Sequence, residues 1–258
     1  MNLDINSAFI FDLVKLALYI VCGYLAFSRY ARYAKKPWLL SIATRRFAVL
    51  ALLTLLVVAI KVFEDVIAKE SGPLDTALLW YVRDNTPAAL VKFFSLLTLT
   101  GAAIFLVPAT AVLCICLLVT RRRREAVLLA ASMASAWALT YTLKTLVDRP
   151  RPELWSTTWY WGSSFPSGHS LSTATFATAL ALCSALAWPR SRYAALPLAV
   201  LWIGLMGLSR LVLGVHWPTD VLAAICLGVF IPLAISLLVF KDDSHAACLP
   251  MDAQEKPK

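Results

Sequence analysis

The chain has 258 residues, 60% of them hydrophobic and 15% charged, with a formal net charge of +9. A soluble domain carries about 25% charged residues. The shortfall here, gathered into apolar runs of about 20 residues, excludes that class and fits helices crossing a hydrocarbon core. The basic residues lie in short loops beside those runs, where they orient a membrane protein; that placement excludes a nucleic-acid surface.

Seven spans are expected in chain order: 8–28, 47–67, 100–120, 125–147, 170–188, 194–213 and 219–240. The fold class is therefore all-α, a polytopic transmembrane helix bundle. Asp12 and Lys15 interrupt the first run, which either crosses the membrane or lies in its interface. The start, MNLDINSAF, has an acid and no basic residue, so no signal peptide is expected. Segment 29–46 then carries Arg29, Arg32, Lys35, Lys36, Arg45 and Arg46. Residues 121–124 read RRRR, loop 189–193 holds Arg190 and Arg192, and the tail holds Lys241, Lys256 and Lys258. Alternation puts these four segments on one side, with fifteen basic residues there against five on the other. The richer side is cytoplasmic. Segment 68–99 then faces outward, with a mixed apolar–polar helix between Pro73 and Pro87 expected on the membrane surface. The tail 241–258 is polar and expected to be disordered. The chain divides into a hydrophobic segment and basic loop at 1–46, a membrane domain at 47–240 and the tail.

Cys22, Cys114, Cys116, Cys183 and Cys226 fall in apolar runs and Cys248 in the tail, with no C-x-x-C pair. They are expected to be small buried hydrophobes; neither a disulfide framework nor a zinc site is indicated.

The polar residues that matter gather at the outer ends of the spans. Lys144 lies near the end of the fourth, with Arg149 and Arg151 in the next loop. SSFPSGHS places Ser167, Gly168 and His169 at the start of the fifth. SRLVLGVHWPTD carries Arg210 at the end of the sixth, His216 in the loop and Asp220 opening the seventh. These residue types suit a phosphoryl group. Arginine offers phosphate a fork of donors and lysine a point charge. Gly168 lets the backbone come close, and amides at a helix start point at an anion. Asp220, four residues after His216, can accept one ring N–H and leave the other nitrogen free to attack. His169 is then available to protonate the leaving oxygen. A metaphosphate-like transition state needs mainly positioning and positive charge. Lys144, Arg151 and Arg210 supply that charge without a metal.

The chain resembles the type 2 phosphatidic acid phosphatase superfamily, which includes membrane lipid phosphatases and the vanadium haloperoxidases. The resemblance rests on three motifs in order: KTLVDRPRP from Lys144 to Pro152, PSGH from Pro166 to His169, and SRLVLGVHWPTD from Ser209 to Asp220. It covers about residues 47–240. It implies that His216 forms a phosphohistidine, that Asp220 orients it, and that His169 is the acid. It also implies that Lys144, Arg151, Ser167, Gly168 and Arg210 bind the phosphate, with no metal or cofactor. Arg149 lies outside the strict motif and is expected to touch a head group or to support the site from behind. Membrane members of the family have six core spans, so the run at 8–28 is an extra one.

The expected activity is hydrolysis of a lipid phosphate or diphosphate at the outer leaflet. Phosphatidic acid, phosphatidylglycerol phosphate and undecaprenyl diphosphate are the types the resemblance implies. A lipid-linked phosphotransferase using the same site is the alternative, and a non-catalytic lipid transporter the more distant one. The outward site points to a bacterial inner membrane with a periplasmic pocket; oligomeric state stays open. Isolated features read blandly. Lys61, Glu64 and Asp65 are expected to pair locally, and Trp155, Trp159 and Trp161 to anchor the interface. His245 has no role.

Overall fold

In lipid every backbone polar group must be satisfied within its own element, which leaves helices as the outcome for apolar runs of this length. The computed structural model of the chain describes residues 3–34, 36, 39, 42, 43, 45–155 and 162–240. Among these, α-helices follow in the order α1 (Leu3–Ala34), α2 (Arg46–Ile67), α3 (Gly72–Asp84), α4 (Ala88–Leu97) and α5 (Ala103–Val119). Then come α6 (Arg123–Val147), α7 (Gly168–Ala187), α8 (Arg192–Val212) and α9 (Pro218–Val239). The protein is an all-helical, multi-pass membrane protein.

Five helices, α2, α6, α7, α8 and α9, are each long and apolar enough to cross a membrane. The third expected run, 100–120, differs from a simple span. Its helix α5 is the second limb of a pair bent by 44° against the stretch from Ala88 to Gly101. The break is Ala102, whose extended backbone (φ −74°, ψ 152°) interrupts the helical path. The surface helix expected between Pro73 and Pro87 is α3, with Pro73 in its first turn and Pro87 capping α4.

The first run lies inside α1, which packs along α2. Gly23 faces Leu53, while Lys15 and Tyr19 share a groove with Ile60 and Lys61. Eight residues along α1 thus match about eight along α2 in the opposite direction, so the two run antiparallel.

Helix α7 is the hub, packing against α6, α8 and α9, and α9 in turn packs on α2. Close approach of α7 and α9 depends on Gly228. A Cβ there would come within 2.6 Å of Ala174 Cβ and of the Leu171 carbonyl oxygen. Below the site, Leu106, Leu129, Met133, Phe176 and Ala179 form one apolar cluster, and Val62, Val66, Phe165 and Ala223 another. Large apolar side chains such as Ile104, Val119, Leu198 and Val200 are exposed on the outside, where lipid would lie.

The basic segments meet at one end of the bundle. Arg45 Nη2 donates to the Phe240 carbonyl at 3.1 Å, and the Arg122 guanidinium lies over the Trp188 ring at 5.2 Å. Lys61 pairs with Asp65 at 2.8 Å and with Glu64 at 3.7 Å, as its helical spacing suggests. The cysteines depart from expectation in part. Cys183 and Cys226 are buried and Cys114 half-buried, but Cys22 and Cys116 are exposed on the outer surface. An apolar side chain in a lipid-facing position needs no burial in protein. The tail 241–258, with His245 and Cys248, lies outside the described residues, as do Trp159 and Trp161.

Candidate active site

The end of the bundle opposite the basic loops collects the three motifs. Helix α6 stops where Asp148 turns into the left-handed region (φ 42°, ψ 46°), which a short polar residue tolerates. Pro150 and Pro152 then bias the chain toward extended backbone, and this brings Arg149 and Arg151 back over the bundle end. Pro166 and Ser167 lead directly into the first turn of α7, so Gly168 and His169 open that helix. After α8, Gly214 takes φ +67°, and a Cβ there would also strike the Trp155 ring at 2.5 Å. That tight turn returns His216 toward the bundle. Asp220 sits in the first turn of α9, where its Oδ2 accepts the Trp217 N–H at 2.9 Å and caps the helix.

His216 is almost fully buried, and its two ring nitrogens face different partners. Nδ1 lies 3.6 Å from Asp220 Oδ2 and 3.5 Å from Ser164 Oγ. Nε2 lies 3.3 Å from Arg151 Nη1. The carboxylate side therefore favours a proton on Nδ1, which leaves the Nε2 lone pair toward the guanidinium. Burial lowers the His216 pKa to about 4, with Arg210 and Arg151 adding to the effect and Asp220 opposing it. The ring is neutral at physiological pH.

Arg151 is anchored by the Gly162 and Val215 carbonyl oxygens at 3.1 and 2.9 Å. Lys144 Nζ donates to the Ser163 carbonyl. Arg210 is fully buried and donates to Thr98 Oγ1 at 2.5 Å. His169 is half-buried, with Lys144, Arg151, Arg210 and His216 all within electrostatic reach of its ring. Ser167 is fully buried, and its hydroxyl lies 2.9 Å from that of Ser170. Gly168 has room: an added Cβ would meet only the Thr140 methyl, at an ordinary 3.6 Å. All eight expected site residues thus share one end of the bundle. Three cations converge there on two histidines, a setting for a small, multiply charged anion. Among the described residues, no group of three or more His, Cys, Asp or Glu side chains is placed to share a metal ion.

Sequence reasoning passed over several partners. Ser164 donates to Asp220 Oδ2. Thr98, between α4 and α5, reaches Arg210. Of the two roles expected of Arg149, its contacts fit support of the site from behind: its Nη1 donates to Asp220 Oδ1 at 2.6 Å and its Nη2 to the buried Asp75 Oδ2 at 2.7 Å. Ser164 adjoins PSGH and so was within reach of inspection. Asp75 and Thr98 lie in separate segments with no signature, and only folding brings them in. The Trp155 ring sits against Gly214 and, with Trp80, beneath the Arg83 guanidinium.

Known proteins share this arrangement of sequence. The PAP2 superfamily model matches residues 125–244. The undecaprenyl-diphosphatase of Sulfolobus acidocaldarius is 31% identical over 157 residues, covering 55% of this chain and 71% of that protein. The chain belongs to the PAP2 superfamily. Another family member, the decaprenylphosphoryl-5-phosphoribose phosphatase of Mycobacterium tuberculosis, is 38% identical over 112 residues, 42% of this chain. The chain spans 58% of that relative's length. The fold matches the crystal structure of a transmembrane PAP2-type phosphatidylglycerolphosphate phosphatase from Bacillus subtilis. That match has a TM-score of 0.63 at 23% identity and covers 79% of this chain and 98% of the other.

Proposed function

We propose that this PAP2 chain is a membrane phosphatase that removes phosphate from a lipid phosphate or diphosphate without a metal. The observation that carries the reading is the division of labour around His216, with a carboxylate at Nδ1 and an arginine at Nε2. In this reading Nε2 attacks phosphorus as the P–O bond to the lipid breaks, and His169 passes a proton to the departing oxygen. Water then attacks the phosphohistidine, with His169 taking back a proton, and inorganic phosphate leaves. Asp220 keeps the Nδ1 proton in place and balances the charge that develops on the ring. Lys144, Arg151 and Arg210 hold the phosphoryl oxygens, with Ser167 and the open backbone at Gly168 completing the cradle.

A site at the ends of the spans lets a lipid present its phosphate while its chains stay in the bilayer. The activities for which the relatives are named, on prenyl-linked phosphates and on phosphatidylglycerol phosphate, support that substrate class. We place the site on the outer face, periplasmic in a bacterial inner membrane, because the basic loops lie at the other end. The domain boundaries 1–46, 47–240 and 241–258, with α1 as a seventh span, belong to the same proposal.

The test is phosphate release from a panel of lipid phosphates in EDTA, with wild type and His216→Ala side by side. Release by wild type and its loss by several orders of magnitude in the variant is the expected result. Label moving to a second lipid with no free phosphate would replace the hydrolase with the phosphotransferase. Undiminished release by His216→Ala would end the mechanism.

A further inference from the structure

Asp75 is fully buried, although its helix α3 exposes Leu74, Leu78, Trp80 and Tyr81. Both of its carboxylate oxygens are engaged far along the chain. Oδ1 accepts the Thr219 backbone N–H at 3.0 Å. Oδ2 accepts the Thr219 hydroxyl and Arg149 Nη2, each at 2.7 Å. Arg149 in turn donates from Nη1 to Asp220 Oδ1 at 2.6 Å and to Thr219 Oγ1 at 2.8 Å, and from Nη2 to Ser71 Oγ at 3.1 Å. The two oxygens of Asp220 are thereby divided. Oδ1 goes to Arg149, while Oδ2 serves Ser164, the Trp217 N–H and His216.

We infer that Asp75 is a positioning residue for the reaction: acting through Arg149 and the first turn of α9, it sets which oxygen of Asp220 faces His216. The inference rests on the hydrolase reading above. Its physical basis is competition for one guanidinium. A guanidinium prefers to meet a carboxylate with both arms of its fork. With Asp75 holding Nη2, only Nη1 is left for Asp220, so Oδ2 stays with the histidine. Without the Asp75 charge, Arg149 would close on Asp220 with both arms and draw Oδ2 away from Nδ1. Asp75 meets Arg149 and Thr219, neither of which the hydrolase reading places on the phosphate, so substrate binding should be spared while the chemical step suffers.

The test compares full-length wild type, Asp75→Asn, Asp75→Glu, Asp220→Asn and the Asp75→Asn/Asp220→Asn double variant in lipid bilayers. Phosphate release gives kcat and KM. Imidazole ¹⁵N NMR reads the His216 tautomer, with His169→Ala and His245→Ala spectra making the assignment among the three histidines. Asp75→Asn should lower kcat about 10- to 100-fold with KM within about 3-fold, as loss of a partner that orients a reactive ligand does. Its His216 signal should lose the Nδ1-protonated form that dominates in wild type, and Asp75→Glu should recover much of both. The double variant should be no slower than Asp220→Asn, because both changes act through one carboxylate. A full further loss in the double variant, or an unchanged tautomer in Asp75→Asn, would overturn the inference. Should Asp75→Asn fail to fold, Asp75→Ser removes the same charge while keeping a hydroxyl that can accept the Thr219 N–H; an unchanged tautomer there overturns it equally. Wild type inactive on every lipid phosphate would sink the hydrolase reading, while the tautomer would still decide the part played by Asp75.

Discussion

At the scale of the residue, burial decides what His216 can do. An ordinary histidine titrates near 6.5, and here the value is lowered to about 4. A lowered value means that the neutral, attacking form survives to lower pH. The acid limb of kcat/KM set by His216 should therefore lie near pH 4, and the profile should be bell-shaped, because His169 must carry a proton to act as the acid. A pH profile of phosphate release checks this, and an acid limb near 6.5 would show that the free enzyme does not hold the ring as described. Gly168 makes a second prediction. Packing does not demand glycine there, since a Cβ meets only Thr140 at 3.6 Å. Gly168→Ala should leave the unfolding temperature nearly unchanged yet raise KM for the phosphate substrate about 10-fold, or about 1.4 kcal/mol, because its methyl would stand where the phosphate approaches the backbone. Equal KM values would mean that the phosphate does not come close to the Gly168 Cα. The motif spacing pointed to His216, Asp220, His169 and the three cations, because each lies in one of three short motifs whose residues are close in sequence. Asp75 and Thr98 were not legible, because a carboxylate in a surface helix and a threonine in a turn look ordinary until burial is known.

At the scale of the element, the helices were readable from apolar runs, and their ends from Pro, Gly and Asp. Pro218 and Asp220 start α9, and Asp148, two residues before Pro150, ends α6. The bend before α5 was not readable, because Leu97 to Ala103 carries no proline and one glycine that could equally sit inside a helix. What holds the site together is the contact between α7 and α9, since these helices carry His169 and Asp220. Gly228 lets their backbones meet. Gly228→Val should destabilise the protein by about 1–3 kcal/mol, the usual cost of forcing atoms into a filled interface. Thermal unfolding in detergent checks this, and an unchanged midpoint would mean that the two helices can separate without penalty. Helix α3 shows the opposite case. Its amphipathic face predicted a surface helix, yet its one inward carboxylate ties that helix to the first turn of α9.

At the scale of the molecule, charge and chemistry occupy opposite ends. Arg45 with Phe240 and Arg122 with Trp188 mark one end, and Arg149, Arg151 and His216 the other. Single cysteines at Glu153 and Arg124, in a background lacking the native thiols, should react with an impermeant maleimide from opposite sides of the membrane. Labelling of both from one side would overturn the topology. The sequence by itself determined that the chain crosses a membrane, and it supplied the proposed facing of the loops and the proposed reactive residues. Apolar length, loop charge and short-range spacing are local properties that survive without a fold. Only the tertiary structure decided the bend before α5, the contacts of Arg149, Asp75, Ser164 and Thr98 around the site, and the low pKa of His216. Each of these depends on burial and on contacts between segments up to 144 residues apart, quantities that no linear pattern carries.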